Sequence, residues 1–139
     1  MASSDLFLDT SGFYALLSIA DRAHHKATSE LERARKEKCR LVTTDYVLSE
    51  TVTLLKARGI AHLSWQLFDL LDQSQALRME HIDPQRFAQT RQYFLKHMDQ
   101  TYSFADCSSF VVMHELGLRD ALTTDSHFHQ AGFKALLRF

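Results

Sequence analysis

The chain has 139 residues, 45% hydrophobic and 24% charged, with 16 Lys plus Arg against 17 Asp plus Glu. That balance fits one soluble globular domain with a real core, residues 1–139, and counts against a strong non-specific nucleic-acid binder, which carries a basic excess. The first residues lack the basic patch and apolar run of a leader, and no apolar stretch approaches a membrane span, so the expected location is cytoplasmic with no membrane partner. The two thiols, Cys39 and Cys107, have no CxxC spacing; they read as reduced and structural.

Leu6-Phe7-Leu8 is a short strand, apolar on consecutive positions, as in a strand buried on both faces. Asp9 ends it. On this stretch alone, Asp9 is most simply the N-cap of a largely buried helix over Ser11 to Ile19. A second helix is expected from about Asp21 to Lys38. Arg22, Lys26, Ser29, Arg33, Lys36 and Arg40 follow at steps of three or four, a basic stripe. It could meet phosphates. A solvated face with local pairs such as Glu32–Lys36 and Arg33–Glu37 is the simpler reading.

Arg40 to Thr43 is a second strand, and Thr43 or Thr44 can cap a helix over Asp45 to Ala57. Glu50 lies at the edge of that helix's apolar stripe, where a carboxylate is costly unless paired. Ile60 to Leu71 is a further helix; its Trp65 is either a core anchor or part of an oligomer surface. Leu77 to Ile82 is a third strand. Asp83-Pro84 starts a helix ending near His97, with Asp83 as N-cap.

Ser103 to Leu116 is the next helix, stopped by Gly117. Ser103-x-x-Asp106 fits a capping box, yet Asp106 is in line with Phe110 and Met113 and so faces inward. Ala121 to Thr124 is a fourth strand, and Asp125 ends it as Asp9 ends the first. A short helix, Ser126 to Ala131, leads to an apolar last piece, Phe133 to Phe139. Strands alternating with helices, without hairpin signals, predict a central parallel sheet covered on both faces.

Four acids therefore stand apart. Asp9 and Asp125 end strands; Glu50 and Asp106 face the apolar sides of helices. In a parallel α/β sheet these positions meet at one rim. Four carboxylates cannot all ionise in one cleft without a counter-charge, and a hard divalent cation, Mg²⁺ or Mn²⁺, is the economical one. Such sites commonly hydrolyse phosphodiesters. An aspartyl phosphatase would need a second Asp two residues after Asp9; Ser11 stands there. No Walker loop or GxGxxG is present. A binding or regulatory module whose acids do no catalysis stays open.

Four motifs in order carry a resemblance over nearly the whole chain: Leu8-Asp9-Thr10-Ser11, Val47-Leu48-Ser49-Glu50-Thr51, Tyr102-Ser103-Phe104-Ala105-Asp106-Cys107-Ser108-Ser109-Phe110, and Thr123-Thr124-Asp125-Ser126-His127-Phe128. The chain resembles the PIN-domain family, in particular the VapC-type ribonucleases of toxin–antitoxin modules and their stand-alone relatives. The resemblance implies a flavodoxin-like three-layer α/β/α sandwich with four or five parallel strands. It implies that Asp9, Glu50, Asp106 and Asp125 are catalytic and metal-holding in a Mg²⁺- or Mn²⁺-dependent endoribonuclease that leaves a 5′-phosphate. It also implies an RNA substrate, a cognate antitoxin and a homodimer, with the early helices and the Trp65 helix as candidate surfaces. Thr10 and Ser126 are possible substrate or water contacts, although helix capping is the simpler role for both. His127 and His129 are assigned packing and surface roles.

Overall fold

The structure is a computed structural model and describes residues 5–138. Five strands form one parallel sheet in the order β3-β2-β1-β4-β5: β1 Leu6–Leu8, β2 Leu41–Thr44, β3 Leu77–Glu80, β4 Asp120–Leu122 and β5 Lys134–Ala135. The helices are α1 Thr10–Leu17, α2 His24–Lys36, α3 Asp45–Ala57, α4 Ser64–Gln73, α5 Pro84–Lys96, α6 Phe104–Leu116 and α7 Ser126–Gln130, with a 3₁₀ turn over Ala61–Leu63. The fold is the expected three-layer α/β/α sandwich. All three residues of β1 and all four of β2 are buried, which accounts for their unbroken rather than alternating patterns.

Chain order runs outward from β1 to β2 and β3, then returns to β4 and β5 on the other side of β1. The β1/β4 boundary is thus the switch point of the sheet, where open α/β folds leave a crevice at the strands' C-terminal ends. Gly12 makes that boundary tight. A Cβ placed there would lie 2.0 Å from the carbonyl oxygen of Leu122, so α1 rests directly on the backbone of β4.

Boundaries shift modestly from the sequence reading. The helix expected from Asp21 to Lys38 is shorter because Asp21 forms a turn: its carboxylate accepts from the Ala23 amide at 2.8 Å, and α2 begins only at His24 and ends at Lys36. Arg22 and Arg40 therefore lie off the helix, which shortens the basic stripe. Arg33, still on the helix, meets Glu30 at 3.0 Å and Glu37 at 3.2 Å, and Arg40, off it, meets Asp5 at 2.8 Å. Trp65 is 78% exposed, so it is no core anchor. β5 arises within the last apolar piece; Phe139, its expected end, lies outside the described residues. Both cysteines are buried thiols outside any disulfide, and burial pushes the Cys107 thiol up to about 11. No helix among the described residues is long and apolar enough to cross a membrane.

Candidate active site

The four sequence-selected acids come together. Asp9, Glu50, Asp106 and Asp125 line one cleft of about 300 Å³, with Thr10, Ser11, Leu54, Thr101, Ser103 and His127. No Lys or Arg is among the lining residues. A larger open cavity of about 520 Å³ lies beside the N-terminal end of β3, lined by residues such as Arg35, Gln66, Asp69 and Gln73. It gathers no matched set of reactive groups, so size does not mark the site here.

Asp9 is delivered by β1. It is only 6% exposed. It occupies the N-cap position of α1, but its side chain makes no cap bond. Its Oδ2 accepts instead from the Thr123 hydroxyl at 2.8 Å. The capping role suggested by its local sequence is therefore not the one its carboxylate plays. Burial raises its pKa from 3.8 to about 7, opposed by the Thr123 hydroxyl and the Thr10 amide and reinforced by Asp106 and Glu50.

Thr123 is fully buried just past β4. It also accepts from the Asp125 amide at 3.0 Å and lies 3.0 Å from the Ser11 hydroxyl. Ser11 in turn accepts from the Thr124 amide at 2.9 Å. With its single O–H donating to Asp9, Thr123 accepts a hydrogen bond from the Ser11 hydroxyl. This chain of hydroxyls fixes Asp9 relative to the loop carrying Asp125. Thr123 stands in the fourth motif without a locally evident role; its signal is a hydroxyl at the end of an apolar strand, two residues before an acid.

Glu50 projects from α3 and is exposed. Its Oε1 accepts from the Thr10 hydroxyl at 2.8 Å. Thr10 also lies 3.4 Å from the Val47 carbonyl. Thr10 is thus no helix cap but the tie between the first and second motifs. Ser126 is not a helix cap either. It is exposed and does not line the cleft, and Asp125 takes the cap position of α7, accepting from the His127 amide at 2.8 Å.

Asp106 sits in the first turn of α6. The capping box is real: Ser103 Oγ accepts from the Asp106 amide at 2.9 Å, and Asp106 Oδ2 accepts from the Ser103 amide at 3.1 Å. That box and the inward-facing position coexist, because the box uses one carboxylate oxygen. Burial raises the Asp106 pKa; the Ser103 amide and His127 oppose this, while Asp125 adds to it.

His127 overturns the role assigned from sequence. It does not pack on the surface away from the acids. Its Nδ1 is 3.0 Å from Asp106 Oδ2 and 3.3 Å from Asp125 Oδ1. Two-residue spacing from His129 argued against a shared face and so against a paired site. The spacing was sound: His129 is exposed and does not line the cleft. His127 reaches the acids alone, from a helix only five residues long. Asp106, Asp125 and His127 offer ligand atoms within 4.8 Å of one another, a group that could bind a metal.

A strand-end Asp at the switch point, a helix-borne Glu tied to the next residue, an Asp in a capping box and an Asp after the fourth strand define the class. The chain belongs to the PIN-domain family, whose model matches residues 6–134. Among characterised proteins it is similar to the 23S rRNA-specific endonuclease VapC20 of Mycobacterium tuberculosis, 33% identical over 128 residues, covering 92% of this chain and 95% of the relative. The crystal structure of that protein, described as a sarcin–ricin loop cleaving toxin, superposes with a TM-score of 0.79 at 31% identity, covering 93% of this chain and 96% of that one. The crystal structure of FitAcB from Neisseria gonorrhoeae shares the fold at a TM-score of 0.64 and 18% identity, covering 94% of each chain.

Proposed function

We propose that this chain is one PIN domain acting in the cytoplasm as a divalent-metal-dependent endoribonuclease, the toxin of a type II toxin–antitoxin module. The observation that carries the reading is the cleft itself: four acids from distant segments meet with no Lys or Arg among the lining residues. The donor set fits a hard cation. Its carboxylates are oxygen ligands, and burial makes the charge of Asp9 costly, a cost that a bound cation would offset.

Asp9, Asp106 and Asp125 would hold Mg²⁺ or Mn²⁺, with Glu50 beside them. When bound, the cation supplies charge neutralisation at the scissile phosphate and lowers the pKa of the attacking water. The chain's own hydroxyls do the positioning. Thr123 holds one oxygen of Asp9, and Thr10 holds one oxygen of Glu50. The other oxygen of Glu50 is left to accept a hydrogen bond from the attacking water and orient it. Cleavage leaves a 5′-phosphate and does not use the ribose 2′-hydroxyl.

RNA is the substrate, and the likeness to an endonuclease of 23S rRNA makes a sarcin–ricin loop hairpin the first RNA to try. A cognate antitoxin and a second copy of the chain are the protein partners. The exposed Ile19, Trp65 and Phe68 support an interaction face near α1 and α4. The test uses purified protein with Mg²⁺ or Mn²⁺ and the hairpin RNA. Wild type is expected to cut it, and Asp9→Asn and Asp106→Asn to lose cutting. Equal cutting by all three would overturn the assignment.

A further inference from the structure

His127 makes bonds on both sides of its ring. Nδ1 faces Asp106 Oδ2 at 3.0 Å and Asp125 Oδ1 at 3.3 Å, while Nε2 lies 2.8 Å from the Thr101 hydroxyl. The ring stands edge-on to Tyr102, with centroids 5.6 Å apart and planes at 77°. Tyr102 is itself buried against Phe110 of α6. The imidazole therefore has a fixed plane and a fixed direction.

The choice of oxygens matters. Asp106 Oδ2 receives both the Ser103 amide and His127 Nδ1. Asp125 Oδ1 receives the His127 amide and lies 3.3 Å from Nδ1. Each acid thus commits one oxygen to the same histidine and keeps the other without a hydrogen-bond partner among the described residues. Two carboxylates that would otherwise repel and rotate are held with one free oxygen each. With the carboxylates on the Nδ1 side, a proton on Nδ1 is donated to Asp106 Oδ2, while Asp125 Oδ1 takes the backbone amide of the same residue; Nε2 can then accept from the Thr101 hydroxyl. The same hydrogen-bonded brace recurs behind metal-holding carboxylates generally, where losing it costs about 10–100-fold in metal affinity.

We propose that His127 is a positioning residue of this site: its Nδ1–H holds Asp106 next to Asp125, which is held by the His127 backbone N–H, and Thr101 holds the ring in that orientation. The inference rests on the metal-site reading above and adds to it a residue from a different part of the local network. It assigns the imidazole a role behind the carboxylates, not one among the groups that touch substrate.

The test is Mn²⁺ binding by calorimetry on the intact protein without RNA, with the metal-free melting temperature as a check of folding. His127→Leu keeps bulk and loses both ring bonds; its Mn²⁺ affinity is expected to fall about 10–100-fold. His127→Asn keeps an N–H close to the Nδ1 position and is expected to stay within about threefold of wild type, because Asp106 keeps its donor. Thr101→Val, at an exposed position, is expected to be folded and to lose a smaller share than His127→Leu. Wild-type affinity in His127→Leu would overturn the proposal and leave the metal site standing. Equal losses in His127→Asn and His127→Leu would also overturn it, and assign the ring nitrogen as a ligand. Should His127→Leu fail to fold, His127→Asn and Thr101→Val decide: wild-type affinity in the first with a measurable loss in the second sustains the brace, and any other pair overturns it. No Mn²⁺ binding by the wild type would remove both the site and the brace.

Discussion

At the scale of single residues, Asp9 is a buried acid whose charge the fold does not balance. Its folded pKa, about 7, lies above its ordinary 3.8. Between those values the folded state holds a proton that the unfolded state has released, so metal-free stability falls as pH rises through that window and levels off above it. Asp9→Asn removes this dependence. The variant is expected to match wild type near pH 4 and exceed it at pH 8 by about 2–4 kcal/mol without metal, as read by chemical denaturation. Excess Mn²⁺ is expected to raise the wild-type melting temperature at pH 8 and to leave Asp9→Asn nearly unmoved. Thr123→Val tests the partner. It leaves Asp9 Oδ2 without its donor, so RNA cleavage is expected to fall about 10–100-fold with the fold intact by circular dichroism.

At the scale of elements, two joints set where the site residues stand. The first is α1 on β4. Gly12→Ala would drive a Cβ into the Leu122 carbonyl, and α1 must back away. The expected cost is about 2–4 kcal/mol, measured by denaturant titration, with RNA cutting reduced because Asp9 and Thr123 separate. The second joint is Arg86 on α5, which bonds Glu115 of α6 at 3.0 Å, Glu80 of β3 at 2.9 Å and the His81 carbonyl at 3.0 Å. It fixes the far end of α6, the helix whose first turn carries Asp106. The Arg86 hydrogen bond lowers the Glu115 pKa below its ordinary 4.5. That contribution is present above pH 4.5 and is lost as pH falls through the lowered folded value. Arg86→Met is therefore expected to be less stable than wild type at pH 7, with the gap narrowing in acid, as followed by melting temperature from pH 7 to pH 3.

At the scale of the whole molecule, the strand order decides the chemistry. β1 lies between β2 and β4, so acids from both ends of the sequence meet at its C-terminal end. Thr123 and Asp9 are 114 residues apart in the chain and share a hydrogen bond. Local pattern exposed the strand ends and helix faces because burial on both sides of a parallel sheet leaves continuous apolar runs. The same pattern showed the capping box of Asp106 and the stop at Gly117, whose φ of 68° is the left-handed value that glycine takes at a helix end. These features depend on neighbours three or four residues away, within reach of the sequence.

Thr10, His127 and Gly12 were a different matter. Thr10 reads as a cap because hydroxyls near a helix start usually cap, yet its partner is Glu50, forty residues on. His127 reads as surface because its own helix offers it no mate; its mates come from another helix and a loop. Gly12 stands unremarked among the apolar residues of its helix, and only the backbone of β4 shows why no larger residue fits. The sequence alone determined the strand-helix alternation and the four acids, since these follow from local periodicity and residue chemistry, and its four motifs carried the family resemblance. Only the tertiary structure decided which oxygen of each acid is held, by what donor, and which residue braces two of them, because those bonds join side chains whose separation is set by sheet order and packing rather than by distance along the chain.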